Sequence, residues 1–286
     1  MAIQLASLIN LPNTLQDVSL LSLPDSEKST NTVNLINTLR TTLRQLNYEF
    51  SPMPSTIPLM VSLNMLLPTA LRFIEDQSGC AIEFTSALWD ALPINMNLTS
   101  SINELSQCDI CLSSNTRVPD QHTQFLRVPA PLTHTRTLDQ LILDMLQEKL
   151  RPNPPTCNNI SCPAHGSELQ SSLHFTPRHS LSIIIERLAI THPMIKRVTT
   201  PIIGPKESST LYGGLQLTGV TAYDTTPSSD GSDKKHWIFY KRTPSPSGFT
   251  WFKLDSQIGY PIRASPFNDQ SDRTTLDIFT FTEPAL

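Results

Sequence analysis

Four of the chain's five cysteines come as two close pairs, Cys108-Asp109-Ile110-Cys111 and Cys157-Asn158-Asn159-Ile160-Ser161-Cys162. Two such turns, tens of residues apart, suit tetrahedral zinc: each presents two thiolates, and four close the coordination shell. A closed site fastens loops and does no chemistry, because no coordination position stays open. His165, three residues after Cys162, is a possible substitute ligand. Four reduced thiols, or two disulfides in an oxidising compartment, remain alternatives on spacing alone. Cys80 stands apart in an apolar, helix-like context and reads as a small buried hydrophobe.

Around the cysteines the pattern changes along the chain. Residues 33–46 put Leu35, Ile36, Leu39, Leu43 and Leu46 at helical spacing, with Ser29, Thr30 and Asn31 as cap candidates. Residues 81–92 repeat the pattern with Phe84, Leu88, Trp89 and Leu92. Thr137 can cap a third helix whose stripe is Leu138, Leu141, Ile142, Met145 and Leu146. The second half consists of short β-branched or aromatic runs at 180–188, 214–223, 236–243, 249–254 and 275–282, and a further strand is expected at 124–128. Turn-rich stretches at 225–233 and 244–248 separate them. Helices first and strands later predict an α+β fold with an inserted zinc-bearing element.

Composition excludes several function classes. The net charge is −4, which leaves no basic footprint for nucleic acid. No run reaches the ~18 apolar residues of a membrane span. The best attempt, Ile57 to Ile74, is broken by Pro58, Asn64, Pro68 and Arg72. The opening residues, MAIQLASLINLPNT, carry no positively charged leader, so a soluble intracellular protein of cytoplasm or nucleus is expected. With 24 prolines against 9 glycines, the loops are expected to be stiff and extended.

Ser7-Leu8-Ile9-Asn10-Leu11-Pro12-Asn13-Thr14 resembles the opening box of the ubiquitin-specific proteases, G-L-x-N-L-G-N-T-C. Residues 81–92 (AIEFTSALWDAL) resemble its A-x-E-F-x-x-x-L-L-D-x-L helix, and the two cysteine pairs match its fingers. LSIIIERL at 181–188 with Met194-Ile195-Lys196, Leu217-Thr218-Gly219-Val220, His236-Trp237-Ile238-Phe239-Tyr240 and Trp251-Phe252-Lys253-Leu254-Asp255 follow in family order. The resemblance implies a papain-like cysteine protease fold. Its helical thumb would span about residues 1–98, zinc-binding fingers about 99–175 and a β-rich palm about 176–286, with finger and palm strands interleaved. It also implies structural zinc on Cys108, Cys111, Cys157 and Cys162, and ubiquitin or ubiquitinated proteins as partners.

Carried over residue by residue, the resemblance places the general base at His236, its orienting carboxylate at Asp255 and an oxyanion donor at Asn10. The nucleophile position fails: where the family has cysteine, this chain has Leu15, followed by Gln16-Asp17-Val18. Leucine can neither ionise nor attack a carbonyl. The family's cleft-lining Gln and Asp are likewise replaced, by Ser78, Gly79 and Cys80, and Arg187-Leu188 stands where Arg-Phe is commoner. The expectation is a deubiquitinase homologue that binds ubiquitin or another partner and is catalytically impaired or inactive. The competing readings are a functional cysteine-type deubiquitinase whose cysteine box is altered, and an unrelated zinc-stabilised interaction protein.

Overall fold

The computed structural model describes residues 30–48, 57–73, 83–84, 87–88, 91 and 100–282, apart from 124, 151–154, 177–179, 192–193, 207–208, 226–235, 247 and 256–259. Asn10, Leu15 and Cys80 therefore lie outside the described residues.

The helical stripe at 33–46 folds as α1 (Thr30–Tyr48). Its Leu35, Ile36 and Leu39 are buried. They pack against α2 (Ile57–Asn64), where Leu59, Met60 and Leu63 face inward. The segment that fails as a membrane span is thus partly a short core helix. Asn64 closes the turn beyond it in both directions: its Nδ2 donates to the Phe73 carbonyl at 2.7 Å, and its Oδ1 accepts from the Phe73 amide at 2.8 Å. Phe73 meets Phe84 edge to face at 5.2 Å, and Phe84 and Leu88 are helical and buried as their spacing predicts.

A seven-stranded sheet follows the predicted runs closely. Its members are β3 (Phe125–Pro129), β6 (Ser180–Glu186), β10 (Gln216–Asp224), β11 (His236–Ser245), β12 (Gly248–Leu254), β13 (Ile262–Arg263) and β14 (Thr274–Thr282). Their spatial order is β13-β12-β11-β10-β14-β6-β3, antiparallel except where β3 runs parallel to β6. One face is covered by α3 (Leu138–Leu150), whose predicted stripe enters the main core. Thr137 caps that helix reciprocally. Its Oγ1 accepts from the Gln140 amide, and the Gln140 Oε1 accepts from the Thr137 amide, both at 3.2 Å.

A separate three-stranded sheet, β2-β1-β5, comprises β1 (Ser100–Gln107), β2 (Ser114–Thr123) and β5 (Gln170–Thr176). None of these strands is signalled by the sequence, whose residues there are mostly polar and show no alternation. Pro119 sits on the edge strand β2, at a register shift between the pairs Ile102↔Asp120 and Glu104↔Arg117. A residue without an amide hydrogen is tolerated at such a place. Two ribbons complete the fold: β4 (Arg136–Thr137) with β9 (Ile202–Ile203), and β7 (Leu188–Thr191) with β8 (Met194–Arg197).

An ionic knot joins these parts. Arg187, 2 % exposed, donates from Nε to Asp277 Oδ1 at 3.2 Å and from its Nη atoms to the carbonyls of Thr200 and Leu276, both at 2.8 Å. Arg197 pairs with Asp277 Oδ2 and donates to Thr275 Oγ1 at 2.9 Å. Burial pushes the Asp277 carboxyl above its ordinary range and the Arg187 guanidinium below its own, and the ion pairing opposes both. The knot therefore adds little net stability but is costly to break from one side. Asp277→Ala, which strands two guanidinium groups, is expected to lower the unfolding free energy by about 3–5 kcal/mol in urea titration. A loss under about 1 kcal/mol, the size of an ordinary substitution, would show that the knot is slack.

Candidate functional site

β10, β11 and β12 place two titratable side chains together at one end of the large sheet. In the β11–β12 pairing Phe239 lies opposite Leu254, so Asp255, just past β12, comes level with Ile238. His236, two residues earlier on β11 and on the same face as Ile238, is its diagonal neighbour. The side chains meet as Nε2···Oδ2 at 3.4 Å, with exposures of 15 % and 8 %. A contact of that length is loose for a hydrogen bond. With Nε2 turned to the carboxylate, Nδ1 is the ring nitrogen suited to accept a proton.

The surroundings hold this pair in register. Asp224 is the cross-strand partner of His236 and accepts from Thr274 Oγ1 at 3.3 Å. Further along the same face, Tyr240 donates to Asp269 at 2.8 Å. Burial, reinforced by that carboxylate, pushes its phenol far above the usual range, so it remains a protonated donor. On the opposite face Trp237 meets Tyr223 edge to face at 4.9 Å, and the Arg197 guanidinium covers Tyr223 at 4.3 Å. Asp224 and this aromatic chain are missing from the sequence reading, because only strand register makes them neighbours of His236.

The second centre is the cysteine cluster. The Cys108/Cys111 turn connects β1 to β2, and the Cys157/Cys162 loop precedes β5. Because Gln107 pairs with Gln170, both turns lie at the same end of the small sheet. The first is closed by the Cys108 carbonyl accepting from the Leu112 amide at 2.8 Å, which holds Leu112 at φ +54°. The second is closed by the Gly166 amide donating to the Cys157 carbonyl at 2.9 Å, with Gly166 at φ +79°, a conformation glycine adopts without strain.

All four sulfurs lie within 4.8 Å of one another. The Cys108–Cys162 and Cys111–Cys157 separations are 3.7 and 3.8 Å. A disulfide needs about 2.05 Å, so all four cysteines are free thiols. A zinc–sulfur bond of about 2.3 Å gives a tetrahedral edge of about 3.8 Å, so the donor set fits the metal. His165 lies outside the cluster. Without a metal, the sulfurs divide their protons unevenly. The Ser113 hydroxyl and amide bring Cys111 down to about 6. The Ala164 amide lowers Cys162, but burial and the neighbouring thiols outweigh it and push that thiol up to about 12.

No family model matches this sequence, and no curated protein matches it significantly. Solved structures do. The SAGA Ubp8/Sgf11/Sus1/Sgf73 DUB module bound to ubiquitin aldehyde matches with a TM-score of 0.64 at 16 % identity, covering 100 % of this chain and 67 % of that one. The same module with a Ubp8 substitution, bound to monoubiquitin, matches with a TM-score of 0.65 at 13 % identity and the same coverage. The chain therefore has mixed α and β architecture with a large sheet and a fold similar to that of the Ubp8 deubiquitinase. Among the described residues, no helix is long and apolar enough to cross a membrane.

The sulfur geometry makes a direct prediction. Protein purified without chelator should carry about one zinc per chain by elemental analysis, and Cys108→Ser with Cys162→Ser should carry none. Content well below one equivalent in the unmodified chain would refute the metal assignment.

Proposed function

We propose that the chain is a deubiquitinase homologue that binds ubiquitin through a hand-like fold and is impaired in hydrolysis. The observation carrying this reading is the likeness over the full chain to a deubiquitinase module solved with ubiquitin, and the 3.4 Å contact of His236 with Asp255 supports it. In this reading the thumb covers about residues 1–98, the fingers about 99–175 and the palm about 176–286. Zinc on Cys108, Cys111, Cys157 and Cys162 would supply a structural clasp for the fingers, without any part in the reaction.

The chain's own residues define what the site can do. Asp255 selects the His236 tautomer with the proton on Nε2 and stabilises the imidazolium if Nδ1 takes a second. Asn10 would donate a hydrogen bond to the oxyanion of an attacked carbonyl. Leu15, where an attacking thiol is needed, offers neither a lone pair nor an ionisable proton, so no acyl-enzyme can form there. Base and orienting carboxylate are present, and the covalent route is closed.

The intact His236–Asp255 pair also favours a second reading, a working cysteine-type deubiquitinase with an altered box. A ubiquitin probe with a cysteine-reactive C-terminal warhead separates the two. No adduct is expected from the purified chain, and covalent labelling would transfer the assignment to the second reading. Calorimetric titration with ubiquitin should show saturable heat. A flat titration would remove the binding role. Leu15→Cys tests whether the rest of the site is competent. If this variant turns over a fluorogenic ubiquitin substrate, adding His236→Ala should lower the rate at least about 100-fold, the contribution of a positioned base.

A further inference from the structure

The cysteine cluster has one open side. Cys108, Cys157 and Cys162 are 2 %, 1 % and 5 % exposed, whereas Cys111 is half-buried. The Ser113 hydroxyl lies 2.9 Å from the Cys111 sulfur, where it can donate to a thiolate. Cys111 is thus the sulfur that a dissolved reagent meets first, and among thiolates exposure selects the one an oxidant attacks.

Behind it stands a second sulfur in line to follow. Cys157 Sγ is 3.8 Å from Cys111 Sγ, and Cys162 Sγ is 3.7 Å from Cys108 Sγ. Both contacts run from one turn to the other. Closing either to the disulfide length of about 2.05 Å moves each sulfur by under about 1 Å. The backbone is already arranged for this. The Cys108 amide donates to the Ser113 carbonyl at 3.1 Å, and the Cys157 amide donates to the Ser167 carbonyl at 3.0 Å. The β1–β5 pairing keeps the two turns side by side, and none of these backbone bonds involves a sulfur. Chain statistics favour the same pairing. The pairs across the turns span 54 and 46 residues, those within a turn only three and five. A longer closed loop restrains the unfolded chain more.

We propose that the cluster is a peroxide-sensitive switch, in which the four sulfurs give up a metal and form two disulfides across the turns, Cys111–Cys157 and Cys108–Cys162. The Cys111 sulfur attacks one oxygen of a hydroperoxide. The O–O bond breaks, the sulfur is oxidised by two electrons to a sulfenic acid, and the departing oxygen is protonated to water. The Cys157 sulfur then attacks the Cys111 sulfur, forming the S–S bond, and the S–O bond breaks to release a second water. A second peroxide acts likewise on Cys108 and Cys162, so four thiols and two hydrogen peroxides give two disulfides and four waters. Only the thiolate is a metal ligand, so metal retention ends with the first disulfide. Both states tie the same two turns, and the small sheet keeps its pairing in each.

The test treats the full chain, reduced and zinc-loaded, with hydrogen peroxide. An endoproteinase that cuts before aspartate places Cys80, Cys108 and Cys111 on three separate peptides, by cleavage at Asp90 and Asp109. Fragmentation mass spectrometry then reads the pairing. One equivalent of peroxide should give Cys111–Cys157, and an excess should add Cys108–Cys162, with a total mass loss of about 4 Da for four hydrogens. A chromogenic chelator should record about one zinc released per chain, and dithiothreitol should restore the four thiols. Amide exchange in β1 and β5 should stay slow in the oxidised chain and become fast in the reduced chain stripped of metal. Pairing within a turn, a disulfide to Cys80, sulfinic acids in place of disulfides, or fast exchange in the oxidised chain overturns the inference. If the purified chain holds no metal, the pairing alone decides, so failure of the zinc assignment and failure of the switch are told apart. None of these readouts involves ubiquitin or hydrolysis.

Discussion

Every residue of β14 from Thr274 to Thr282 is buried, and the strand's only carboxylate, Asp277, lies between two guanidinium groups. Much of the large sheet's geometry depends on that arrangement. A strand paired on both sides, with β10 and β6, can be dry only if its charge is matched inside the protein. Arg187 matches it from the turn after β6, and Arg197 from the end of β8. Arg197 then covers Tyr223, Tyr223 meets Trp237, and Trp237 is the residue after His236. A chain of contacts thus runs from the ionic knot to the residue beside His236.

The sheet strands were legible because burial on one or both faces demands β-branched and aromatic residues. The runs at 236–243 and 275–282 read as strands and fold as β11 and β14. α3 was legible for the same reason, including its cap at Thr137. What escaped were β1, β2 and β5, with residues such as Ser100-Ser101-Ile102-Asn103 and Gln170-Ser171-Ser172. Their pairing depends on where the two cysteine turns meet and not on a hydrophobic stripe. Local pattern cannot carry information held in a contact between residue 108 and residue 162.

The cysteines show the opposite case, in which spacing left three chemistries open and distance removes one of them. Sulfur separations of 3.7 and 3.8 Å exclude disulfides and agree with the edge of a zinc–thiolate tetrahedron. Leu112 in a left-handed conformation indicates that the turn is held against its own preference. A small polar sheet has little apolar area with which to resist unfolding. A metal held by the four sulfurs at its tip would supply the constraint that a hydrophobic core supplies in the large sheet.

The two halves of the proposed catalytic apparatus have different structural dependence. His236 and Asp255 are brought together by the β11–β12 hairpin and steadied by Asp224, Thr274 and the Tyr223–Trp237 contact. These interactions would be kept for the stability of the sheet even if no reaction took place. At residue 15 the question is one of chemistry: the resemblance implies a nucleophile there, and leucine supplies no attacking atom. The presence of a His–Asp pair is thus weak support for catalysis, whereas a leucine at the position where the resemblance implies a nucleophile bears on the proposed reading directly. Under the proposed reading binding and hydrolysis are separable, because recognition would draw on an extended surface and the covalent step on one sulfur atom.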